Sequence, residues 1–169
     1  MTAEEVIKLL KLEPHPLEGG FFQVTYRSAD ILPTSALPER YHGPRALGSA
    51  IYYLLTPETC SRLHRLPTDE IFHFYLGDPV SMLLLMPDGT SDILTLGHNI
   101  AHGQTVQTLV PRNCWQGAKL QDGGTFALMG TTLCPGFDYD DYEQGDRDEL
   151  IALYPKQKNW IETLTQAPV

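Results

Sequence analysis

The chain carries little positive charge. Its 169 residues include 12 Lys and Arg against 21 Asp and Glu, a formal net charge of −9. Phosphate backbones and anionic lipid surfaces repel a protein of this charge. We therefore expect no nucleic-acid partner.

Long hydrophobic runs are also missing. Apolar stretches such as 50–55 and 82–86 are far shorter than the roughly 20 residues that a membrane-spanning helix needs. The opening segment MTAEEVIKLLK has two early glutamates and lacks the cationic and apolar regions of a secretory signal. The sequence therefore predicts no membrane partner and a cytoplasmic location.

Cysteine is scarce. Cys60, Cys114 and Cys134 are odd in number and form no CxxC pair, which favours a reducing compartment over a disulfide framework. We interpret all three as small buried apolar residues.

Turn-forming and aromatic residues, in contrast, are abundant. The chain has 14 Gly and 13 Pro beside 8 Tyr and 6 Phe. Many short aromatic-rich segments joined by turns are typical of an all-β domain. A short helix precedes them, because Thr2 and Glu5 have capping-box spacing and Val6, Leu9 and Leu10 share one helical face.

Nine strands are predicted after that helix. Because no helix separates them, we expect antiparallel pairing and closure as a barrel or double-sheet jelly roll. After residue 136 the chain becomes acidic and ends in two helix-like pieces, 147–154 and 159–164. No linker or repeat divides the chain, so residues 1–169 are expected to form a single domain. The predicted strands are 21–27, 49–55, 61–66, 70–76, 80–86, 91–96, 105–110, 114–120 and 125–132.

Two segments resemble the signatures of the cupin superfamily. The run HRLPTDEIFHFYLG is similar to the first signature, G-x5-H-x-H-x3-4-E-x6-G, with His64, Glu70 and Gly77 in the matching positions. Leu66 stands where the second histidine is expected.

The run GQTVQTLVPRNCWQGAKL is similar to the second signature, G-x5-P-x-G-x2-H-x3-N. Pro111 matches, Gly103 is slightly out of register, Asn113 replaces the turn glycine and Gln116 replaces the histidine. Further stretches, HPLEGGFFQVTYRS, SAIYYLL, TLCPGFDYDDYE and YPKQKNW, look like one branch, cupin family five, a domain of unknown function.

The resemblance implies a cupin double-stranded β-helix, a jelly-roll barrel, that pairs as a homodimer through its outer strands. It also implies that a usual cupin metal site would need three imidazoles and one carboxylate. This chain offers His64, Glu70 and the amide of Gln116. We therefore expect no metal cofactor, and at most a weakly held divalent ion at these three residues.

Strand alternation places several polar and aromatic side chains on the walls of the expected pocket. Arg62 and His64 share one face of a strand, and Glu70, Phe72 and Phe74 share one face of the next. Arg62, Phe72 and Phe74, together with Gln116 on a third strand, are candidate ligand-binding residues.

One hypothesis is a metal-independent sugar or small-acid isomerase or epimerase, similar to the deoxysugar-nucleotide epimerases that share this barrel. His64 would remove a proton α to a carbonyl, Glu70 would orient it, and Tyr26 or Tyr52 would return a proton. Which tyrosine faces inward is open, because Tyr52 and its neighbour Tyr53 must point to opposite faces.

The alternative is that His64 and Glu70 form a satisfied polar pair in a non-catalytic module. Such a module would bind a nucleobase, sugar or other metabolite, with the Gln116 amide as a hydrogen-bonding group. A third hypothesis is a weakly metal-binding cupin oxygenase.

The remaining histidines are assigned to the outside. His73 is expected on an outer face, His98 and His102 in a solvated loop, and His15 and His42 at ordinary surface positions.

The acidic segment around residues 138–143 is interpreted as solvated and paired with arginine. Whether Arg27, beside Tyr26 on the first strand, faces the pocket is open, and in the pocket it would indicate an anionic substrate. An outer salt bridge to the acidic segment is the alternative.

Overall fold

The computed structural model describes residues 1–166 of the chain. Helix α1, Ala3–Leu10, begins as predicted with a reciprocal capping box between Thr2 and Glu5, and Lys11 ends it in a left-handed conformation. Two further helices, α2 (Arg147–Leu153) and α3 (Lys158–Leu164), follow the last strand.

Within residues 1–166, thirteen strands form most of the rest of the fold. The all-β prediction is confirmed, and the four strands that the sequence did not predict are only two residues long. The strands are β1 Glu13–Pro14, β2 Phe21–Arg27, β3 Ile31–Leu32, β4 Arg45–Ala46, β5 Ser49–Leu55, β6 Cys60–Arg65, β7 Glu70–Gly77, β8 Val80–Leu85, β9 Ser91–Leu96, β10 Gln107–Val110, β11 Trp115–Leu120, β12 Ala127–Leu133 and β13 Glu143–Gln144.

Two antiparallel sheets face each other as a jelly roll. One has six strands in the order β1-β2-β5-β12-β7-β10, and the other has five in the order β13-β6-β11-β8-β9. Strands β3 and β4 form a separate ribbon. In residues 1–166 the two ladders do not join into one closed barrel.

The core lies between the two sheets because their inner faces are apolar at every second residue. On β7, Phe72 and Phe74 are buried, whereas Ile71 and Tyr75 are exposed. This alternation matches the predicted one. The core consists of Tyr53, Leu55, Phe72, Phe74, Val80, Met82, Leu84, Leu96, Val110, Cys114, Ala118, Leu120, Ala127 and Met129.

Helices cover part of each outer face. Helices α2 and α3 pack on the outer side of the five-stranded sheet, where Leu150, Ile161 and Leu164 contact Leu63 and Leu83. Helix α1 packs Val6 on the outer side of the six-stranded sheet. No helix within residues 1–166 has the length and apolarity to cross a membrane.

All three cysteines are free, but they do not share one environment. Cys114 is buried, Cys60 is half-buried and Cys134 is exposed. The prediction that all three are buried is therefore wrong for Cys134, which follows the last long strand and precedes a surface turn.

Candidate functional site

A cavity of about 110 Å³ opens on the inner face of the six-stranded sheet. Its floor follows from the strand register: Arg27, Ser49, Leu133 and Glu70 form one row across β2, β5, β12 and β7. Alternate residues along each strand point the same way, and all four line the cavity. The other lining residues are His15, Glu18, Phe22, Val24, Ala50, Ile51, Thr131, Phe137 and Tyr139.

The cavity is polar at one end and apolar along its walls. Glu18 and Glu70 place two carboxyl groups there beside the His15 imidazole. Glu18 lies on the loop between β1 and β2, and its carboxylate Oε1 is 3.7 Å from His15 Nε2 and 3.8 Å from His64 Nε2. One carboxylate thus contacts two buried imidazoles.

Three hydrogen bonds and one glycine fix the loop that carries Glu18. The Arg62 guanidinium donates to the Leu17 carbonyl, and the Arg62 backbone N–H donates to the Glu18 carbonyl at 2.8 Å. The Tyr53 hydroxyl donates to the Gly19 carbonyl at 2.8 Å. Gly19 has φ +85°, and a Cβ there would lie 2.6 Å from the Cys60 carbonyl oxygen, so only glycine fits.

Backbone hydrogen bonds set the tautomer of each imidazole. His15 Nδ1 accepts the Glu18 N–H at 2.9 Å, so neutral His15 carries its proton on Nε2 and donates toward Glu18. His64 Nδ1 donates to the Arg62 carbonyl at 2.7 Å, so neutral His64 presents a lone pair on Nε2. Glu18 therefore lies between a donor and an acceptor.

His64 is held tightly and lies behind Glu18. Only 1% of it is exposed, and its ring stacks on Tyr142 with centroids 5.2 Å apart. The ring does not line the cavity. The carboxylate within 4 Å of its Nε2 is that of Glu18, whereas the predicted partner was Glu70.

Glu70 pairs with an amide. Gln116 Nε2 donates to Glu70 Oε2 at 2.5 Å, and both residues are buried. The oxygen of the same amide, Gln116 Oε1, is buried without a hydrogen-bond partner in the described part of the chain. A buried orphan acceptor is costly unless a ligand satisfies it.

Burial and mutual charge shift the acid–base groups of the site. Burial and the neighbouring Glu18 charge raise the pKa of Glu70 to about 6. Burial raises the pKa of Glu18, although His15 and Arg62 oppose that shift. Burial lowers the pKa of His64 and of His15. A proton shared by the two carboxyls therefore favours Glu70, because the Arg62 guanidinium and the His15 imidazole stabilise the ionised form of Glu18.

The acidic segment closes the cavity from the outside. Phe137 and Tyr139 line its wall, and a buried bidentate pair between Arg45 and Asp141 holds them there, with distances of 2.8 and 2.6 Å. The prediction of a solvated segment is thus wrong for Asp141. The prediction of pairing with arginine is confirmed.

Neither predicted proton-donating tyrosine reaches the cavity. Regular alternation from Phe22 and Val24 would turn Tyr26 inward, but a bulge between Val24 and Tyr26 turns Arg27 inward instead and leaves Tyr26 56% exposed. Tyr52 points outward, where it packs with the residues under helix α1. Both candidate assignments are corrected on this geometry.

The predicted ligand-binding residues divide into three groups. Phe72 and Phe74 belong to the core between the sheets and do not line the cavity. Arg62 supports the Glu18 loop. Gln116 contacts Glu70.

The prediction for His15 is wrong, because it is buried beside Glu18. His42, His98 and His102 are exposed, as predicted. His73 lies on the outer face of the sheet, where it hydrogen-bonds Thr132 and Gln107.

Sequence reasoning missed Glu18, the residue that links the cavity to both imidazoles. Glu18 and His15 lie in the run HPLEGG, which contributed to the family resemblance and received no role. Two flanking prolines made that run resemble an ordinary surface loop. The paired glycines, needed where the loop turns against Cys60, were the available signal.

The donor set does not fit the usual cupin metal site. Leu66 is apolar, and the neutral His15 tautomer places a proton on the nitrogen that faces Glu18. Within residues 1–166 no group of three or more His, Cys, Asp or Glu is arranged to hold a metal ion. A weakly held divalent ion at His64, Glu70 and Gln116 stays a prediction.

Solved structures of similar proteins share the fold of this chain. Protein SO0799 from Shewanella oneidensis is 35% identical, with 98% of each chain covered and a TM-score of 0.85. A hypothetical protein from Leishmania major is 31% identical over 99% of this chain and 100% of its own, with a TM-score of 0.88. The uncharacterized yeast protein YML079W from Saccharomyces cerevisiae is 28% identical, over 83% of this chain and 75% of its own.

More distant relatives share only the fold. Oxalate decarboxylase from Bacillus subtilis is 14% identical with a TM-score of 0.54, and this chain spans 38% of its length. The family model described as cupin superfamily (DUF985) matches residues 4–145. The chain therefore belongs to the DUF985 family of the cupin superfamily.

Proposed function

We propose that this cupin is a small-molecule isomerase or epimerase that moves a proton between carbon and two carboxyl groups. The observation that carries the proposal is the pair Glu18 and Glu70 at one end of the cavity, with Glu18 Oε1 within 4 Å of two imidazoles. Two carboxyl groups with different surroundings are suited to opposite acid–base roles.

In this mechanism Glu18 is the base. It takes a proton from a carbon next to a carbonyl, and the electron pair of that C–H bond moves onto the carbonyl oxygen as an enolate. His64 is a positioning residue, since it contacts Glu18 and does not line the cavity, whereas His15 contacts Glu18 and also lines the cavity.

Glu70 is the acid. Its pKa of about 6 keeps part of the population protonated near neutral pH. It returns a proton to the same carbon from the other side, so the enolate collapses to the inverted product. Glu18 then carries the substrate proton and Glu70 is ionised, and exchange with water restores both.

The His64 lone pair stabilises Glu18 after it has taken the substrate proton. A protonated Glu18 can donate to His64 Nε2, and His15 Nε2–H can donate to an ionised Glu18, so both protonation states of Glu18 have a partner. These 3.7 and 3.8 Å distances are longer than hydrogen bonds, as is common for catalytic contacts without substrate.

Hydrogen exchange tests the proposal directly. Small hydroxy and keto acids and aldoses, incubated with the protein in D₂O, are expected to lose their α-proton NMR signal. Glu18→Gln and Glu70→Gln should abolish that loss, whereas the exposed control Glu13→Gln should not. If the wild-type protein exchanges no compound of the panel, the proposal fails.

A second candidate function is a binding module without catalysis. The Glu70 carboxyl favours it, because it lines the cavity, is held there by the Gln116 amide, and could hydrogen-bond a ligand hydroxyl or amide. In that case a ligand should raise the melting temperature, and Gln116→Leu should remove the rise. No exchange would accompany it.

We also propose that the chain forms a homodimer. The support is the exposed apolar part of the six-stranded sheet, where Ile71, Tyr75 and Leu109 reach solvent. Light scattering after size-exclusion chromatography should give twice the monomer mass, and Ile71→Lys should halve it. A monomeric wild-type protein would remove this proposal.

A further inference from the structure

The end of the cavity opposite the carboxyl groups carries one arginine and one serine. Arg27 is the only lysine or arginine among the cavity-lining residues within the described part of the chain. It shares one register row with Ser49, Leu133 and Glu70, so its Cα lies about 14 Å from that of Glu70, three strand spacings away. Both side chains line the cavity, that of Glu70 buried and that of Arg27 52% exposed.

A local irregularity of the backbone directs Arg27 inward. Phe22 and Val24 line the cavity at a spacing of two, and Arg27 follows at a spacing of three because the strand bulges between Val24 and Tyr26. Bulges next to active sites commonly redirect a side chain. Without this bulge the cavity would receive the tyrosine.

The donors at this end are only partly used. Arg27 Nη1 donates to the Phe137 carbonyl at 3.2 Å, and Nη2 is 3.9 Å from Asp138 Oδ2. The remaining guanidinium N–H groups keep the planar fork that carboxylates recognise. Ser49 Oγ accepts the Phe137 N–H at 2.9 Å, which leaves its own proton to donate into the cavity.

We infer that Arg27 and Ser49 bind the carboxylate of a small organic acid, whose α-carbon then lies toward Glu18 and Glu70. The apolar walls between the two ends, which include Ile51, Leu133 and Phe137, suit a short carbon chain. This inference rests on the proposed function, since it identifies the substrate class of the same cavity.

The volume limits the size of that acid. The cavity of about 110 Å³ is smaller than the roughly 150 Å³ cavity that holds one benzene molecule. A sugar nucleotide does not fit inside it. Acids of the size of lactate or pyruvate match it.

Paired acids and amides test the inference. The probes are lactate and pyruvate, each beside its neutral amide, with inorganic phosphate as a further anion, at concentrations of tens of millimolar. The acids are expected to raise the melting temperature of the wild-type protein and the amides to raise it far less. Phosphate stabilisation equal to that of the acids would overturn the organic-acid assignment.

Arginine variants locate the site. Arg27→Met is expected to weaken acid binding about 10- to 100-fold, because charge-assisted hydrogen bonds are lost. Arg27→Lys should keep part of the affinity, which separates loss of charge from loss of folding. Arg112→Met removes the same charge at an exposed position outside the cavity and should leave binding unchanged.

Two further results would overturn the inference: equal stabilisation by acids and amides, or no stabilisation by any acid. Neither result affects the exchange experiment with glyceraldehyde, a neutral aldose of three carbons, which tests the proposed proton transfer by itself. Conversely, Arg27-dependent acid binding without α-proton exchange would keep the carboxylate site and remove the proposed reaction.

Discussion

The carboxylate of Glu18 lies 3.8 Å from the unprotonated Nε2 of His64. A lone pair and an ionised carboxylate repel each other, so this contact becomes attractive only when a proton lies between them. Burial favours that arrangement, since it raises the pKa of Glu18 and lowers that of His64. When Glu18 accepts a proton from a molecule in the cavity, it can therefore donate that proton toward His64 Nε2.

Replacing Glu18 by glutamine should separate this acid–base role from folding. Glutamine keeps the shape and cannot take a proton, so α-proton exchange is expected to fall about 10²- to 10⁴-fold. The melting temperature should change little, because a neutral amide is easier to bury than a charge. Exchange rates by NMR and thermal melts check both. The control Glu13→Gln lies in the same segment but is exposed; an equal loss of exchange there would contradict the assignment.

The raised pKa of Glu70 makes stability depend on pH in a definite direction. Folded Glu70 has a pKa of about 6 against an ordinary value of 4.5, so between these values the folded state binds more protons. Its stabilising contribution is complete below pH 4.5 and is lost as pH rises through 6, by about 2 kcal/mol. Urea unfolding should show that the free energy of unfolding of Glu70→Gln, relative to that of wild type, rises by this amount between pH 4.5 and pH 7.5.

The same group controls the proposed rate. Exchange should decline as pH rises above about 6, since Glu70 must carry a proton to act as the acid.

His64 acts on stability with the opposite sign, because its lowered pKa makes the folded state lose stability as pH falls through 6.5. His64→Gln should therefore reduce acid sensitivity. A pH-independent difference between Glu70→Gln and wild type would contradict the assignment to Glu70.

The fold was predictable because it follows from a local pattern. Period-two alternation on β7 placed Glu70, Phe72 and Phe74 inward, and the structure agrees. The predicted site on His64, Glu70 and Gln116 also joins neighbouring elements, since Gln116 pairs with His64 in register and hydrogen-bonds Glu70.

What was not predictable depends on contacts between distant parts of the chain. Glu18 meets His64 only because the loop before β2 folds against β6, held by Arg62 and Tyr53. The inward turn of Arg27 depends on a single bulged residue. Neither a loop path nor a bulge changes the hydrophobic period from which strands are predicted.

The substituted metal positions give a further test. Wild-type protein purified without chelator should contain less than stoichiometric transition metal, and titration with Mn²⁺ should show weak binding at most, because Leu66 cannot coordinate and Gln116 donates to Glu70. Leu66→His with Gln116→His would restore the imidazoles and should increase the Mn²⁺ affinity at least tenfold. Stoichiometric metal in the wild-type protein by elemental analysis would refute the expectation.

Two arginine–carboxylate pairs with the same geometry but different burial provide the last prediction. Arg45 and Asp141 are 3% and 7% exposed, whereas Arg65 and Glu143 are 36% and 53% exposed, and both pairs are bidentate. Asp141→Ala leaves a buried guanidinium without its charge partner and should cost about 3–5 kcal/mol of unfolding free energy. Glu143→Ala should cost at most about 1 kcal/mol, since water solvates the exposed partner.

Because Asp141 also holds the segment of Phe137 and Tyr139 over the cavity, its loss should weaken ligand stabilisation, while loss of Glu143 should not. Equal costs in urea unfolding would contradict the stabilising role assigned to burial of the Arg45 pair. Equal ligand stabilisation in the two variants would contradict the role of Asp141 in closing the cavity.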